Sequence, residues 1–300
     1  MPYIEARDTK FYYQQKGEGT DVVLVHGITG NMAVWMLSGL VQKLAKQFRV
    51  TVFDMRGHGY SDTPTSNYTS GDMADDLAAI CDSLNVETAM VLGHSFGAVV
   101  ALHAAHRYPE LINGVILSDP FIPALRKIQA DPRKWKGFKA YTTNAKSAGM
   151  IIEGNLWDLK EMLEQAAGLK GWRKRLFIEK AGAAALERLV RLHETTCGED
   201  VAKVAGLTEE CIATISQDTV CLYGEHSPFL PMCHKAGEVI SGCIMDEIPD
   251  AQHFAFEENP AHFIDRVEFH FCRMAGLEVT AAASQIEGPR KNIMTDSEAV

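Results

Sequence analysis

A serine between two glycines is the residue of this chain best suited to chemistry. The segment Gly93-His94-Ser95-Phe96-Gly97 follows the apolar run Ala89–Leu92 and precedes a helical pattern over Ala98–His106. G-x-S-x-G between a strand and a helix is the nucleophile elbow, a sharp turn that exposes the serine hydroxyl. Glycine is needed at both flanks because side chains there would collide with neighbouring backbone. The motif therefore predicts Ser95 as a nucleophile for acyl transfer.

Three further segments lie at the ends of predicted strands. His26-Gly27-Ile28-Thr29-Gly30 follows the apolar run Val22–Val25, and Asp54-Met55-Arg56-Gly57-His58-Gly59-Tyr60-Ser61 follows the next strand. His253 follows the last strand and precedes the closing helix. In this order, together with the serine motif, the segments resemble the α/β-hydrolase superfamily over about residues 10–120 and 216–275. The D-x-R-G-x-G-x-S segment is typical of its esterase, lactonase, dehalogenase and C–C hydrolase branches, and we expect its role to be structural.

The resemblance implies roles for other residues. The base of the family sits where His253 stands here, and the oxyanion donors fall on the backbone N–H groups of Ile28 and Phe96. Two preorganised N–H groups stabilise an oxyanion, and the loss of one typically costs roughly 3 kcal/mol. The rival histidines in loops near the expected site, whose motif positions do not match the base, are His26, His58, His94 and His226.

The acid that should orient His253 is not where the family usually has it. After the strand Thr219–Tyr223 the family reads Gly-x-x-Asp, whereas this chain has Ser227 at the aspartate position. Some branches place the acid at the end of the strand after the nucleophile helix, which predicts Asp119. The alternative acid is Glu225, whose longer side chain could reach; Asp246, Asp250 or no acid also remain open.

Hydrophobic periodicity indicates the elements that must position these side chains. The predicted strands are Ile4–Arg7, Phe11–Gln15, Val22–Val25, Val50–Phe53, Ala89–Leu92, Val115–Leu117, Thr219–Tyr223 and Ile244–Ile248. The predicted helices include Trp35–Phe48, Gly71–Leu84, Ala98–His106, Leu156–Ala167, Ala181–Glu194 and Pro260–Ala275. This alternation predicts an α/β fold with a mostly parallel central sheet of about eight strands flanked by helices.

The helical stretch in the second half divides the predicted sheet. We expect a first core part over residues 1–120, an inserted helical cap over 121–218, a second core part over 219–278, and a disordered tail over 279–300, which is polar and aperiodic. Caps of this kind roof the site and exclude water. The candidates for the substrate pocket are Gly27, Phe254, Trp172 and Trp157.

Composition excludes several classes of function. The 300 residues, 46% hydrophobic and 23% charged, are ordinary for a soluble globular protein. The net charge of −10 argues against a general nucleic-acid binder, because such proteins present a basic face to phosphates. No apolar run is long enough for a transmembrane helix, and no signal pattern opens the chain, so we expect a cytoplasmic protein without a membrane partner. Seven cysteines without a CxxC pair predict free thiols and no metal site.

The expected activity is hydrolysis of a small to medium apolar ester or lactone through an acyl-enzyme, with no cofactor and a small-molecule substrate as the partner. Relatives that form alkyl-enzyme esters carry Asp at the elbow, so Ser95 excludes them. C–C bond hydrolysis of a β-diketone-type compound would use the same triad. A slow-turnover small-molecule receptor on a hydrolase scaffold is a third hypothesis. The sequence does not indicate the oligomeric state.

Overall fold

A single eight-stranded sheet organises the chain. The structure is a computed structural model that describes residues 2–128, 138–147, 149–150 and 158–278. The strands are β1 (Tyr3–Ala6), β2 (Thr9–Lys16), β3 (Thr20–Val25), β4 (Phe48–Phe53), β5 (Ala89–His94), β6 (Ile112–Ser118), β7 (Asp218–Gly224) and β8 (Ile244–Ile248). They lie in the order β1-β2-β4-β3-β5-β6-β7-β8. The pairings from β4 through β8 are parallel, and β1 and β2 pair antiparallel at one edge. The α/β prediction with a mostly parallel sheet of eight strands is confirmed.

Helices pack on both faces of this sheet, and further helices lie in the segment between β6 and β7. They are α1 (Ala33–Leu37), α2 (Leu40–Leu44), α3 (Ser70–Ser83), α4 (Phe96–Arg107), α5 (Phe138–Ser147), α6 (Leu159–Ala167), α7 (Gly171–Ala181), α8 (Ala183–His193), α9 (Cys197–Asp200), α10 (Glu209–Ala213), α11 (Leu230–Val239), α12 (Ala255–Glu258) and α13 (Pro260–Ala275), with a 3-10 helix at Pro123–Ile128. Two buried apolar clusters form the core, one containing residues of α3 and α4 and the other residues of α2 and α13. The central strands are buried on both sides, which explains why they read as continuous apolar runs.

One predicted helix is interrupted at a glycine, and a second glycine lies at the start of another predicted helix. The continuous helix expected over Trp35–Phe48 is wrong: α1 ends at Leu37, Gly39 has a φ of 88°, and Phe48 already begins β4. A second glycine, Gly182 with φ 90°, separates α7 from α8. Apolar spacing continues through both glycines, but a left-handed backbone cannot continue a right-handed helix.

The carboxyl ends of the central strands meet along one edge of the sheet. In the parallel register Val25 of β3 lies beside Gly93 of β5, and His94 of β5 lies beside Ser118 of β6. The residues that follow these strands are therefore neighbours in space, which is where open α/β sheets place their sites.

The described residues between β6 and β7 contain the 3-10 helix, α5 to α10 and the turns that join them, and no strand. Its assignment as a cap and the boundaries of the expected domains stay predictions. The expected tail over 279–300 lies outside the described residues. Among the helices that the structure describes, none has the length and apolar character needed to cross a bilayer.

Candidate active site

Ser95 occupies a strained turn between β5 and α4. Its backbone has φ 53° and ψ −118°, a conformation that non-glycine residues rarely adopt. The Ser95 N–H donates to the Ser118 carbonyl at 2.8 Å, which holds the turn against β6. A Cβ on Gly93 would lie 2.2 Å from the Gly97 carbonyl oxygen, and one on Gly97 would lie 2.4 Å from that of His26. Both glycines are therefore required by close backbone packing, as the motif indicates.

Ser95, His253 and Asp119 form a continuous chain of hydrogen bonds. His253 Nε2 lies 3.2 Å from Ser95 Oγ, and His253 Nδ1 lies 2.5 Å from Asp119 Oδ2. The three residues come from the ends of β5 and β6 and from the loop after β8. Because Asp119 can only accept from Nδ1–H, Nε2 is left to accept the proton of the Ser95 hydroxyl.

Burial sets the charges of this pair. Desolvation lowers the pKa of His253 below its ordinary value, so its imidazole is neutral at neutral pH. Desolvation also raises the pKa of Asp119, while the neighbouring Ser227 hydroxyl acts in the opposite direction on that pKa. A neutral imidazole beside an orienting carboxyl is the resting state that a general base requires.

The turn after β6 directs the Asp119 side chain toward His253. Asp119 has φ 49°, and its N–H donates to the Leu222 carbonyl at 3.1 Å. The alternative acid, Glu225, is partly exposed, and its carboxylate accepts the N–H of Asp250 at 3.0 Å. Ser227, at the position where the family usually has its acid, accepts the Phe229 N–H at 2.9 Å while its hydroxyl faces Asp119. Of the predicted acids, Asp119 is thus the one that the structure places against His253.

The two predicted oxyanion donors share a structural feature. Across a trans peptide the N–H points away from the preceding carbonyl, so a fixed carbonyl fixes the N–H. The carbonyl before Ile28, that of Gly27, accepts from His26 Nδ1 at 2.8 Å and from the Gly30 N–H at 3.0 Å. The carbonyl before Phe96, that of Ser95 itself, accepts two N–H groups of the first turn of α4.

Neither of these amides, Ile28 N–H or Phe96 N–H, donates to an acceptor within the described residues. Both peptide planes are held from their carbonyl side. Their N–H groups are therefore preorganised donors, which is what an oxyanion site needs.

Three of the four rival histidines, His26, His58 and His94, are occupied by structural bonds. His26 donates to the Gly27 carbonyl and accepts the Met55 N–H at 3.1 Å. His58 lies 2.7 Å from the Arg56 carbonyl, and burial lowers its pKa to about 3. His94 Nε2 lies 2.9 Å from the His253 carbonyl, which fixes the backbone of the base. The positioning roles of His26 and His94 were not anticipated from the sequence, although each lies within a motif.

The D-x-R-G-x-G-x-S segment forms a buried loop behind the site. Asp54 accepts the N–H groups of Met32 at 2.8 Å and of Tyr60 at 2.9 Å. Arg56 forms a buried bidentate ion pair with Asp76. A Cβ on Gly59 would lie 1.9 Å from the Asp54 carboxylate, so this position requires glycine.

Aromatic rings surround the base. The Phe254 ring, on a residue that is 41% exposed, lies 4.8 Å from the His253 ring, and the buried Phe229 ring lies 5.1 Å from it. Phe229 was not predicted, since nothing in the sequence distinguishes it from other core residues. A Cβ on Gly27 would lie 3.3 Å from Ser95 Cβ, which places this glycine at the nucleophile.

The two predicted tryptophans of the pocket have different positions. Trp172 lies in α7 and is 66% exposed, so it is a surface residue in this structure. Trp157 lies outside the described residues. A lining role for either tryptophan stays a prediction.

Glu225, His226 and Asp250 form a cluster beside the site that the sequence did not predict. One potential ligand atom of each lies within 4.8 Å of the others. Both carboxylates are exposed, and such groups often approach one another without an ion. We therefore assign no metal ion to this cluster.

Comparison with known proteins places this geometry in a family. A family model for the alpha/beta hydrolase fold matches residues 21–260. A pimeloyl-[acyl-carrier protein] methyl ester esterase of Vibrio campbellii is 26% identical over 255 residues, which cover 84% of this chain and 91% of that protein.

Solved structures agree at the level of the fold. An enol-lactonase of Burkholderia xenovorans has a TM-score of 0.63 at 20% identity, over 90% of this chain and 99% of its own. A meta-cleavage product hydrolase of Pseudomonas fluorescens has a TM-score of 0.66 at 22% identity, over 91% of this chain and 98% of its own. With a family model covering most of its length and a nucleophile elbow at its centre, this chain belongs to the alpha/beta hydrolase fold family.

Proposed function

We propose that this protein is a serine hydrolase that cleaves a small to medium, largely apolar ester or lactone through an acyl-enzyme. The observation that carries the proposal is the chain of hydrogen bonds from Ser95 through His253 to Asp119, beside two preorganised amides. No cofactor is needed for this chemistry, because the nucleophile, base and oxyanion donors all belong to the chain.

The first half of the reaction forms the acyl-enzyme. Ser95 Oγ attacks the carbonyl carbon while His253 Nε2 takes the hydroxyl proton. The N–H groups of Ile28 and Phe96 stabilise the tetrahedral oxyanion. His253 then gives its proton to the leaving alkoxide as the C–O bond breaks.

The second half returns the enzyme to its starting state. A water molecule attacks the acyl-enzyme, and His253 accepts a proton from it. As the second tetrahedral intermediate collapses, the bond from Ser95 Oγ to the acyl carbon breaks and His253 returns its proton to Oγ, which restores the hydroxyl and releases the carboxylic acid. Asp119 holds the same imidazole tautomer through both halves.

The aromatic side chains around His253 support the proposal of an apolar substrate. The rings of Phe229 and Phe254 contact the His253 ring, and the Phe121 ring lies 5.7 Å from that of Phe229. The helical segment over 121–218 would act as the cap that closes over these side chains and excludes water. Relatives named as an ester hydrolase and a lactonase are consistent with this class of substrate.

The test compares Ser95→Ala with Ser83→Ala, an exposed serine at the end of α3. We expect wild type and Ser83→Ala to be labelled by a fluorophosphonate probe and to hydrolyse p-nitrophenyl butyrate. Ser95→Ala should fold normally but lose both labelling and turnover. Unchanged turnover in Ser95→Ala would refute the proposal. A panel of a simple ester, a γ-lactone and a β-diketone then separates ester, lactone and C–C hydrolysis.

A further inference from the structure

We propose that Arg188 is a positioning residue: its hydrogen bond to Thr29 holds the loop of residues 26–30 in the shape that presents the Ile28 amide to the oxyanion. Arg188 lies on α8, in the segment between β6 and β7, and does not belong to the core that carries the triad. The inference rests on the proposed function, since it concerns the oxyanion site of that reaction.

The contact joins two parts of the fold. Arg188 is half-buried, and its Nε donates to the Thr29 carbonyl at 2.7 Å. Within the described residues Arg188 forms no ion pair with a carboxylate. A half-buried guanidinium is costly unless its donors are satisfied, so a charge-assisted bond to this carbonyl is a strong tie.

The loop needs such a tie because Thr29 is strained. Its φ of 64° is unfavourable for a β-branched residue, which adopts this region only where its surroundings impose it. Both sides of the residue are held: Nε2 of His58, in the loop after β4, accepts the Thr29 N–H at 3.1 Å, and Arg188 on α8 donates to the Thr29 carbonyl. Without the bond to Arg188, Thr29 can relax toward negative φ and turn the Thr29–Gly30 peptide, whose N–H donates to the Gly27 carbonyl that fixes the Ile28 amide.

The charge of Arg188 supports the same arrangement. His26 and His58 must stay neutral, because each accepts a backbone N–H at Nε2. Burial is the main cause that lowers the pKa of both histidines, and the positive charge of Arg188 lowers both further. Arg191 acts in the same direction on the pKa of His58, and Asp54 opposes the effect on that of His26.

The experiment compares Arg188→Gln with Arg191→Gln. Arg191 lies one turn along the same helix, is exposed, and donates to the Gly59 carbonyl at 3.4 Å, the one hydrogen bond of its side chain within the described residues. We expect Arg188→Gln to lower kcat on p-nitrophenyl butyrate roughly 10- to 100-fold with little change in KM, because a misplaced donor acts on the transition state. Arg191→Gln should stay close to wild type. Arg188→Lys, which keeps the charge, should recover part of the loss.

Hydrogen–deuterium exchange of the 26–30 amides supplies a readout that needs no turnover. Exchange should rise in Arg188→Gln and stay unchanged in Arg191→Gln. Unchanged exchange in Arg188→Gln overturns the inference, and so does faster exchange with an unchanged kcat. If Arg188→Gln does not fold, Arg188→Lys decides by the same two measurements. If the wild type neither reacts with a fluorophosphonate nor turns over any ester, the proposed function fails. The positioning role fails separately if exchange of the 26–30 amides does not rise in Arg188→Gln.

Discussion

Replacing Asp119 by asparagine tests the tautomer argument directly. Asp119 Oδ2 accepts from His253 Nδ1 at 2.5 Å. In an asparagine the amide nitrogen can take this place, and Nδ1 must then accept its N–H. The imidazole proton moves to Nε2, where it faces the Ser95 hydroxyl and cannot accept the serine proton.

The size of the effect follows from this change of tautomer. An asparagine in the acid position of a serine triad typically lowers kcat by about 10⁴. At 1.36 kcal/mol for each factor of ten, this corresponds to about 5.4 kcal/mol of transition-state stabilisation. KM should change little, because the carboxyl does not contact the substrate.

Stability measurements exclude unfolding as the cause. Burial raises the pKa of Asp119, so the ionised carboxylate costs folding free energy at neutral pH. Asparagine is neutral and nearly isosteric, and we therefore expect the Tm of Asp119→Asn to be unchanged or higher.

The assay is the steady-state hydrolysis of p-nitrophenyl butyrate, with Glu225→Gln as the matched control. Glu225 is the other predicted acid, and its carboxylate binds the Asp250 N–H. We expect Glu225→Gln to keep most of the activity. If Asp119→Asn retains more than about a tenth of wild-type kcat, a loss well short of the expected 10⁴, the reasoning is wrong. It is equally wrong if Glu225→Gln shows the loss instead.

Two further predictions concern pH and packing. Burial lowers the pKa of His253, so the acid limb of kcat/KM should lie below the ordinary imidazole value of about 6.5; a limb above that value contradicts a desolvated base. Gly97→Ala places a Cβ 2.4 Å from the His26 carbonyl oxygen, and we expect it to lower the free energy of unfolding in urea by about 1–3 kcal/mol. Gly168→Ala, whose Cβ comes no nearer than 3.3 Å to any neighbour, is the control, and equal losses in the two variants would count against the packing argument.

The strands of the core could be predicted because buried parallel strands have a simple signature. A strand covered on both faces is a short apolar run between turn residues, and all eight predicted runs lie within or overlap the observed strands. Helix continuity was harder to predict. Apolar spacing suggested one helix from Trp35 to Phe48, whereas the left-handed Gly39 ends it and Phe48 enters the sheet.

The acid shows where sequence reasoning stops. Asp119 and Glu225 both follow parallel strands and both carry carboxylates at the same edge of the sheet. Their side chains nevertheless point to different partners, because the turn after β6 aims Asp119 at His253 while Glu225 binds the backbone of Asp250. No pattern of residue types distinguishes these two directions.

By itself, the sequence determined the fold class, and it predicted the elbow at Ser95 and the approximate place of the base, since each depends on local patterns of apolar runs, glycines and strand ends. Only the tertiary structure decided that Asp119 faces His253 and that Arg188 reaches the Thr29 carbonyl. It also decided that the Gly27 and Ser95 carbonyls each accept two hydrogen bonds, which fix the amides of Ile28 and Phe96. The physical reason is that these contacts join residues far apart in the chain, and their geometry depends on how strands, turns and the helical segment pack together in three dimensions.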